Sequence, residues 1–343
     1  MKNLNIYLNF IFILLSFISW SQTLEIQPVK LIKYGPDSCY ARGISIFKNK
    51  IYTANSNGMV YSINLKNKKV NEEFHRKVST NFVELRDIHV INQNYFIAMQ
   101  SNDKSGIYSK MRDSIISWIP DSTFFDAMDF SATGRGILIG DPKNDYLQVY
   151  LTKDFGENWT KIKKKEFRTF PGEAAFAASG TVAQILNDST YFIATGGMKS
   201  RLLKTNDFGE TWESFDVPFK NSESSGTFSM HFWSELEGIC VGGNYTKPND
   251  TIGTCFITLD GGKSWFTPKK PLSGYKSCVL QVGQQFFACG TNGIDVSSDF
   301  GKTWTKFSSL NSCAMTANKN KLYVTLMKGE IAVFDLNILQ NIK

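Results

Sequence analysis

The chain has 343 residues, 42% of them hydrophobic, six cysteines and a formal charge of +7. That is enough apolar material for one large core or two ordinary ones, and it excludes a disordered or collagen-like chain. The modest basic excess sits in scattered loops such as Lys66 to Lys69 and Lys161 to Lys165, without the aromatic interleaving of a nucleic-acid surface.

Lys2 precedes an apolar run from Ile6 to Trp20, and Ser19-Trp20-Ser21 supplies a small-x-small cleavage site. Residues 1–21 therefore read as a signal peptide, and residues 22–343 as a single mature domain that is exported to the periplasm or secreted. A run of about 15 residues is short for a membrane span. No later run reaches spanning length, so no stable membrane insertion is expected after cleavage. The formal charge falls from +7 to +6, since Lys2 is the only charge removed. Cys39, Cys240, Cys255, Cys278, Cys289 and Cys313 all remain. An even count in an exported chain permits disulfides, and buried thiols are the equal alternative.

Phe (27) and Tyr (13) are abundant, together with many Thr, Ile and Val residues, and that mixture favours pleated sheet. Seven short alternating runs recur as inner-strand candidates: Gly43 to Ile46, Asp87 to Ile91, Ala127 to Phe130, Val182 to Leu186, Ser229 to Phe232, Cys278 to Val282 and Ala314 to Ala317. Each is followed by a second run, at Lys50 to Ala54, Tyr95 to Met99, Gly136 to Ile139, Tyr191 to Ala194, Gly238 to Val241, Gln285 to Ala288 and Lys321 to Thr325. Third strands are suggested at Gly58 to Ile63 and Gly329 to Phe334.

Four turns share one pattern: Thr152-x-Asp154-x-Gly156-x-x-Trp159, Thr205-x-Asp207-x-Gly209-x-x-Trp212, Thr258-x-Asp260-x-Gly262-x-x-Trp265 and Ser297-x-Asp299-x-Gly301-x-x-Trp304. Their Asp residues stand 53, 53 and 39 residues apart, the interval of one supersecondary unit. The hydroxyl and the Asp carboxylate can close the turn, Gly supplies positive φ, and Trp wedges against neighbouring sheet. All sixteen residues thus read as structural. The pattern is similar to the Asp-box, or BNR, repeat, which implies an all-β, seven-bladed β-propeller. The last unit runs out of chain, and Glu25 to Ile32 is expected to supply its outer strand and close the ring.

The boxes, with Ala41-Arg42-Gly43-Ile44, Leu85-Arg86-Asp87-Ile88, Asp126-Ala127-Met128-Asp129-Phe130, Gly140-Asp141-Pro142 and Gly172-Glu173-Ala174, resemble the Ycf48-like photosystem II stability and assembly-factor family, including its relatives in non-photosynthetic bacteria. That resemblance implies a binding scaffold in which arginines near the central channel hold a membrane-protein precursor. Arg42 and Arg86 match such positions, whereas the third unit carries Asp126 there.

The expected binding face is Arg42, Arg86, Asp87, Asp126, Asp129, Asp141 and Glu173, because charged residues cluster at inner-strand entries. A protein or glycan ligand, a monomeric state, no cofactor, no metal and no dedicated catalytic residue are expected with it. His75, His89 and His231 lack ligand spacing, and no nucleophile elbow is present. Gly134-Arg135-Gly136-Ile137-Leu138-Ile139-Gly140 precedes a strand, not a helix, unlike a dinucleotide loop. The alternative class is a sialidase-like glycoside hydrolase using Asp126, Asp129, Asp141 or Glu173. Phe167-Arg168-Thr169-Phe170-Pro171 resembles a sialidase motif but follows the first box instead of preceding it.

Overall fold

The computed structural model describes residues 25–75, 77–78, 81–82, 84–92, 95–100, 106–110, 114–118 and 123–341. The expected signal peptide lies outside them. Among the described residues seven antiparallel sheets of four or five strands follow one another along the chain, with a separate hairpin of Lys77–Val78 and Asn81–Phe82, and in the fifth Glu173–Ala174 and Gly196–Gly197 lie inside the inner strand. The inner strands are Ala41–Phe47, Leu85–Asn92, Phe125–Phe130, Ala183–Ile185, Ser225–Phe232, Cys278–Val282 and Met315–Asn318. They begin blades one to seven in that order, and each falls in the frame expected from the alternating runs.

Three of the blades are complete meanders of four strands in which the turn between the third and fourth is an Asp box: the third, the fourth and the sixth. In the third blade the Thr152 hydroxyl donates to Asp154 Oδ1 at 2.7 Å and accepts from Gly156 N at 3.1 Å. Asp154 Oδ1 also accepts from Asn158 N at 2.9 Å. The boxes at Thr205, Thr258 and Ser297 repeat these bonds. In the fifth blade the strand after the box shrinks to one bridge between Ile257 and Phe266.

The box glycines also set the spacing between blades. Gly209, Gly262 and Gly301 have φ of 87°, 95° and 79°. A Cβ at these positions would lie 2.6 Å from Leu151, 2.5 Å from Leu202 and 2.6 Å from Ile239, each on the preceding blade. Any side chain there would be strained in φ and would also force Leu151, Leu202 or Ile239 of the preceding blade to shift. Trp212 and Trp304 are buried as expected, Trp304 among Ile239, Ile257 and Phe286. Aromatic pairs fill other blade interfaces, including Phe74 with Tyr108 at 3.7 Å, Phe192 with Phe232 at 3.9 Å and Phe307 with Phe334 at 5.0 Å between ring centroids.

The ring closes as expected, with a shorter strand. Lys30–Lys33 pairs antiparallel with Glu330–Asp335, from Lys30 opposite Val333 to Lys33 opposite Glu330. Val29 N still donates to Val333 O at 2.8 Å, and farther back Ile26 N donates to Phe307 O of the sixth blade at 2.7 Å. None of the six cysteines is bridged, and all but Cys313 are buried.

Candidate binding site at the channel mouth

Four inner strands start with a register shift against their second strands. One residue is left over in each, between Ala41 and Gly43, Leu85 and Asp87, Phe125 and Ala127, and Thr227 and Ser229. Those residues are Arg42, Arg86, Asp126 and Phe228. A bulge frees a residue from the ladder and re-aims its side chain. All four line one cavity of about 610 Å³ at the channel mouth, with Ser277 and Cys313 from the corresponding starts of blades six and seven.

The cavity has two unlike sides. On the charged side Glu84 sits between both guanidiniums, 2.7 Å from Arg86 and 3.4 Å from Arg42. The Tyr40 hydroxyl donates to the same carboxylate at 3.3 Å. Arg42 lies 5.2 Å from the centre of the Tyr40 ring and Arg86 lies 4.9 Å from that of Phe124. Across the cavity Phe176 stacks on Phe228 at 4.1 Å, and Tyr275 meets Phe228 edge-on at 4.8 Å.

Asp126 lies near Arg86, and Asp141 lies near Asp126. Burial pushes the Asp126 carboxyl well above the usual range, Asp141 adds to that, and Arg86 opposes it. Burial raises Asp141 to about 6. Asp126 is 1% exposed. Its Oδ2 has no hydrogen-bond partner among the described residues.

Below the mouth, inner strands of all seven blades line a second cavity of about 280 Å³, the channel itself. Asp87 and Asp129 belong here, and they are used to join blades. Asp87 Oδ2 accepts from Met128 N of the third blade at 3.2 Å, and Asp129 Oδ2 from Ile185 N of the fourth at 2.6 Å. Gln184 continues the series by exchanging two 2.8 Å bonds with the backbone of Phe232. Ser45 accepts from Val90 N at 3.2 Å and Ser229 from Val279 N at 2.9 Å. His89 approaches Asp129 at 3.3 Å, and His231 bonds Gln281 at 3.1 Å.

Glu173 corrects the expected face. Its carboxylate is fully buried against Arg201 at 2.8 Å and also accepts from the Thr195 hydroxyl at 2.7 Å and Phe170 N at 3.0 Å. A carboxylate withdrawn from water is held only when paired and hydrogen-bonded, and Arg201 supplies that partner. Of the seven expected residues, then, Arg42, Arg86, Asp126 and Asp141 converge on the mouth, and Asp87 and Asp129 lie deeper. Glu84, Tyr40, Phe124, Phe176, Phe228 and Tyr275 complete the site without having been singled out. Phe228 was within reach, because it precedes its strand frame just as Arg42, Arg86 and Asp126 precede theirs. Among the described residues no group of three or more His, Cys, Asp or Glu is placed to hold a metal ion.

The family model for Sortilin-Vps10 (sortilin, neurotensin receptor 3) matches residues 147–292, which include the boxes at Asp154, Asp207 and Asp260. None of the curated proteins matches the chain in sequence. Among solved structures, YCF48 bound to D1 peptide is 14% identical, with 91% of this chain and 98% of that one covered and a TM-score of 0.56. The computationally designed Ika8 protein is 9% identical, covering 90% and 100% at a TM-score of 0.56. Virginiamycin B lyase from Staphylococcus aureus is 9% identical, covering 89% and 97% at 0.59. A designed protein, a lyase and a peptide-bound protein share this architecture, so the likeness speaks for the fold alone. The chain is a seven-bladed β-propeller of BNR type, similar to Sortilin-Vps10 over residues 147–292 and similar in fold to YCF48.

Proposed function

We propose that the protein is an exported binding scaffold that holds a segment of another protein at the channel mouth, as an assembly or stability factor for an envelope or secreted client. One observation carries the reading: four bulged residues, Arg42, Arg86, Asp126 and Phe228, aim into a single cavity of about 610 Å³. A concave site with apolar walls and a few convergent polar groups suits a handful of side chains from an extended segment. The solved structure of YCF48 with a bound D1 peptide supports the same use of a similar fold. Export rests on Lys2 and the Ile6 to Trp20 run.

Affinity capture from the native envelope tests this with the wild type and with Arg42→Ala/Arg86→Ala and Phe228→Ala variants. Partners retained by the wild type and lost by the mouth variants are expected. An identical set of retained proteins would remove the mouth from the assignment.

A second reading is favoured by the raised Asp126 and Asp141 carboxyls, since a general acid must hold its proton near neutrality. It makes the mouth a glycoside hydrolase site. A sialidase would need arginines for a substrate carboxylate, and Arg42 and Arg86 both already face Glu84. A glycoside screen decides between the two. Turnover abolished by Asp126→Asn or Asp141→Asn would replace the scaffold reading.

A further inference from the structure

The charged side of the mouth is out of balance. Glu84, Asp126 and Asp141 bring three carboxyl groups against the two guanidiniums of Arg42 and Arg86, and Glu84 already engages both guanidiniums. Asp126 is the group left over, with its Oδ2 cut off from solvent and unpartnered among the described residues. Arg86 is the cation that opposes its raised pKa, yet Arg86 Nε is itself without a partner among the described residues, and no ion pair joins the two side chains there. A buried carboxyl with an empty acceptor position beside an open cavity is a demand for a donor that the chain itself does not supply. The wall of Phe176, Phe228 and Tyr275 lines the same cavity with packed aromatic carbon that can cover a hydrocarbon stem.

We infer that the mouth receives the side chain of a lysine from the client, its ammonium bonded to Asp126 and Asp141 and its methylene stem laid on the wall of Phe176, Phe228 and Tyr275. On binding, Asp126 gives up the proton that burial holds on it in the free protein, and the added positive charge then balances three carboxylates against two guanidiniums and fills the empty acceptor. The inference rests on the mouth being a protein-binding site and names what that site selects.

Calorimetric titration of the purified mature protein with blocked tripeptides provides the test. The probes are acetyl-Phe-Lys-Phe-amide, its norleucine and glutamate counterparts, and the norleucine peptide with a free N-terminal amine. The lysine peptide is expected to bind about tenfold more tightly than the norleucine peptide, with the glutamate peptide weakest. Asp126→Asn and Asp141→Asn should bring lysine down to the norleucine level, with thermal melting confirming that each variant is folded. Norleucine or glutamate binding as well as lysine overturns the inference, as does failure of all four peptides. Preference for the free amine over lysine also overturns it, by assigning the ammonium to a chain terminus. Capture that still depends on Arg42, Arg86 and Phe228 while lysine shows no advantage would sink this inference alone, whereas capture indifferent to the mouth would sink the scaffold reading beneath it.

Discussion

Asp126 is where binding and stability pull in opposite directions. Its folded pKa lies above the unfolded value, and so does that of Asp141, raised to about 6. The folded protein therefore binds more protons than the unfolded chain between about pH 4 and the folded values. Stability from these two groups is complete below the unfolded pKa and is lost as pH rises through their folded values, about 6 for Asp141. The box aspartates run the other way. Hydrogen bonds from Thr211 and Ser264 lower Asp207 and Asp260, so their contribution is present at neutral pH and lost in acid. Asp126→Asn keeps the shape and deletes the buried charge. Urea denaturation should show the variant about 1–3 kcal/mol more stable than wild type at pH 8 and little different at pH 4.5. Equal stability at pH 8 would mean that Asp126 is paired in the free protein.

Between blades, the elements are tied by side chains that reach sideways to a neighbour's backbone. Asp87 joins the second blade to the third, Asp129 the third to the fourth, and Gln184 the fourth to the fifth. Gln184→Ala removes a reciprocal pair and leaves Phe232 N and O without that partner, so a loss of about 1–3 kcal/mol is expected in chemical denaturation. The cost should leave client capture at the mouth intact, because Gln184 lines the channel below. Lost capture at full stability would place the binding site in the channel instead. These ties mark how far the sequence could be read. The boxes were legible because each is a local bond set between Thr152 and Asn158, or its copies, and the residue before each Trp is a donor in all four: Asn158, Thr211, Ser264 and Thr303. Inner strands were legible from alternation for the same local reason. Glu84 facing two arginines, Glu173 turning to Arg201, and the Phe176 and Phe228 stack were not, since each depends on chain-distant residues that meet only once blades are packed. Charge at a strand entry marked Asp87 and Arg86 alike, although a bulge at Arg86 sends the two side chains to different levels of the channel.

For the whole molecule, a ring of seven blades has no edge only while its first and last segments stay paired. Lys30–Lys33 covers Glu330–Asp335, whose Ile331, Ala332 and Val333 are buried. The same segment holds the neighbours on either side, through Ile26 to Phe307 O in the sixth blade and the Tyr34 hydroxyl to Asn55 Oδ1 at 3.0 Å in the first. Removing the residues before Tyr34 uncovers Glu330–Asp335, a strand whose Ile331 to Phe334 are all buried, with free backbone donors and acceptors, a template for another chain. A chain starting at Tyr34 should melt well below one that keeps residues 25–33 and elute partly as higher oligomers. Adding a synthetic peptide of residues 25–33 should restore both properties, because the covered edge and the Ile26 contact to the sixth blade are regained without a covalent link. A truncated chain that stays monomeric and melts within about 2 °C of the intact protein would show that the other blade interfaces hold the ring by themselves.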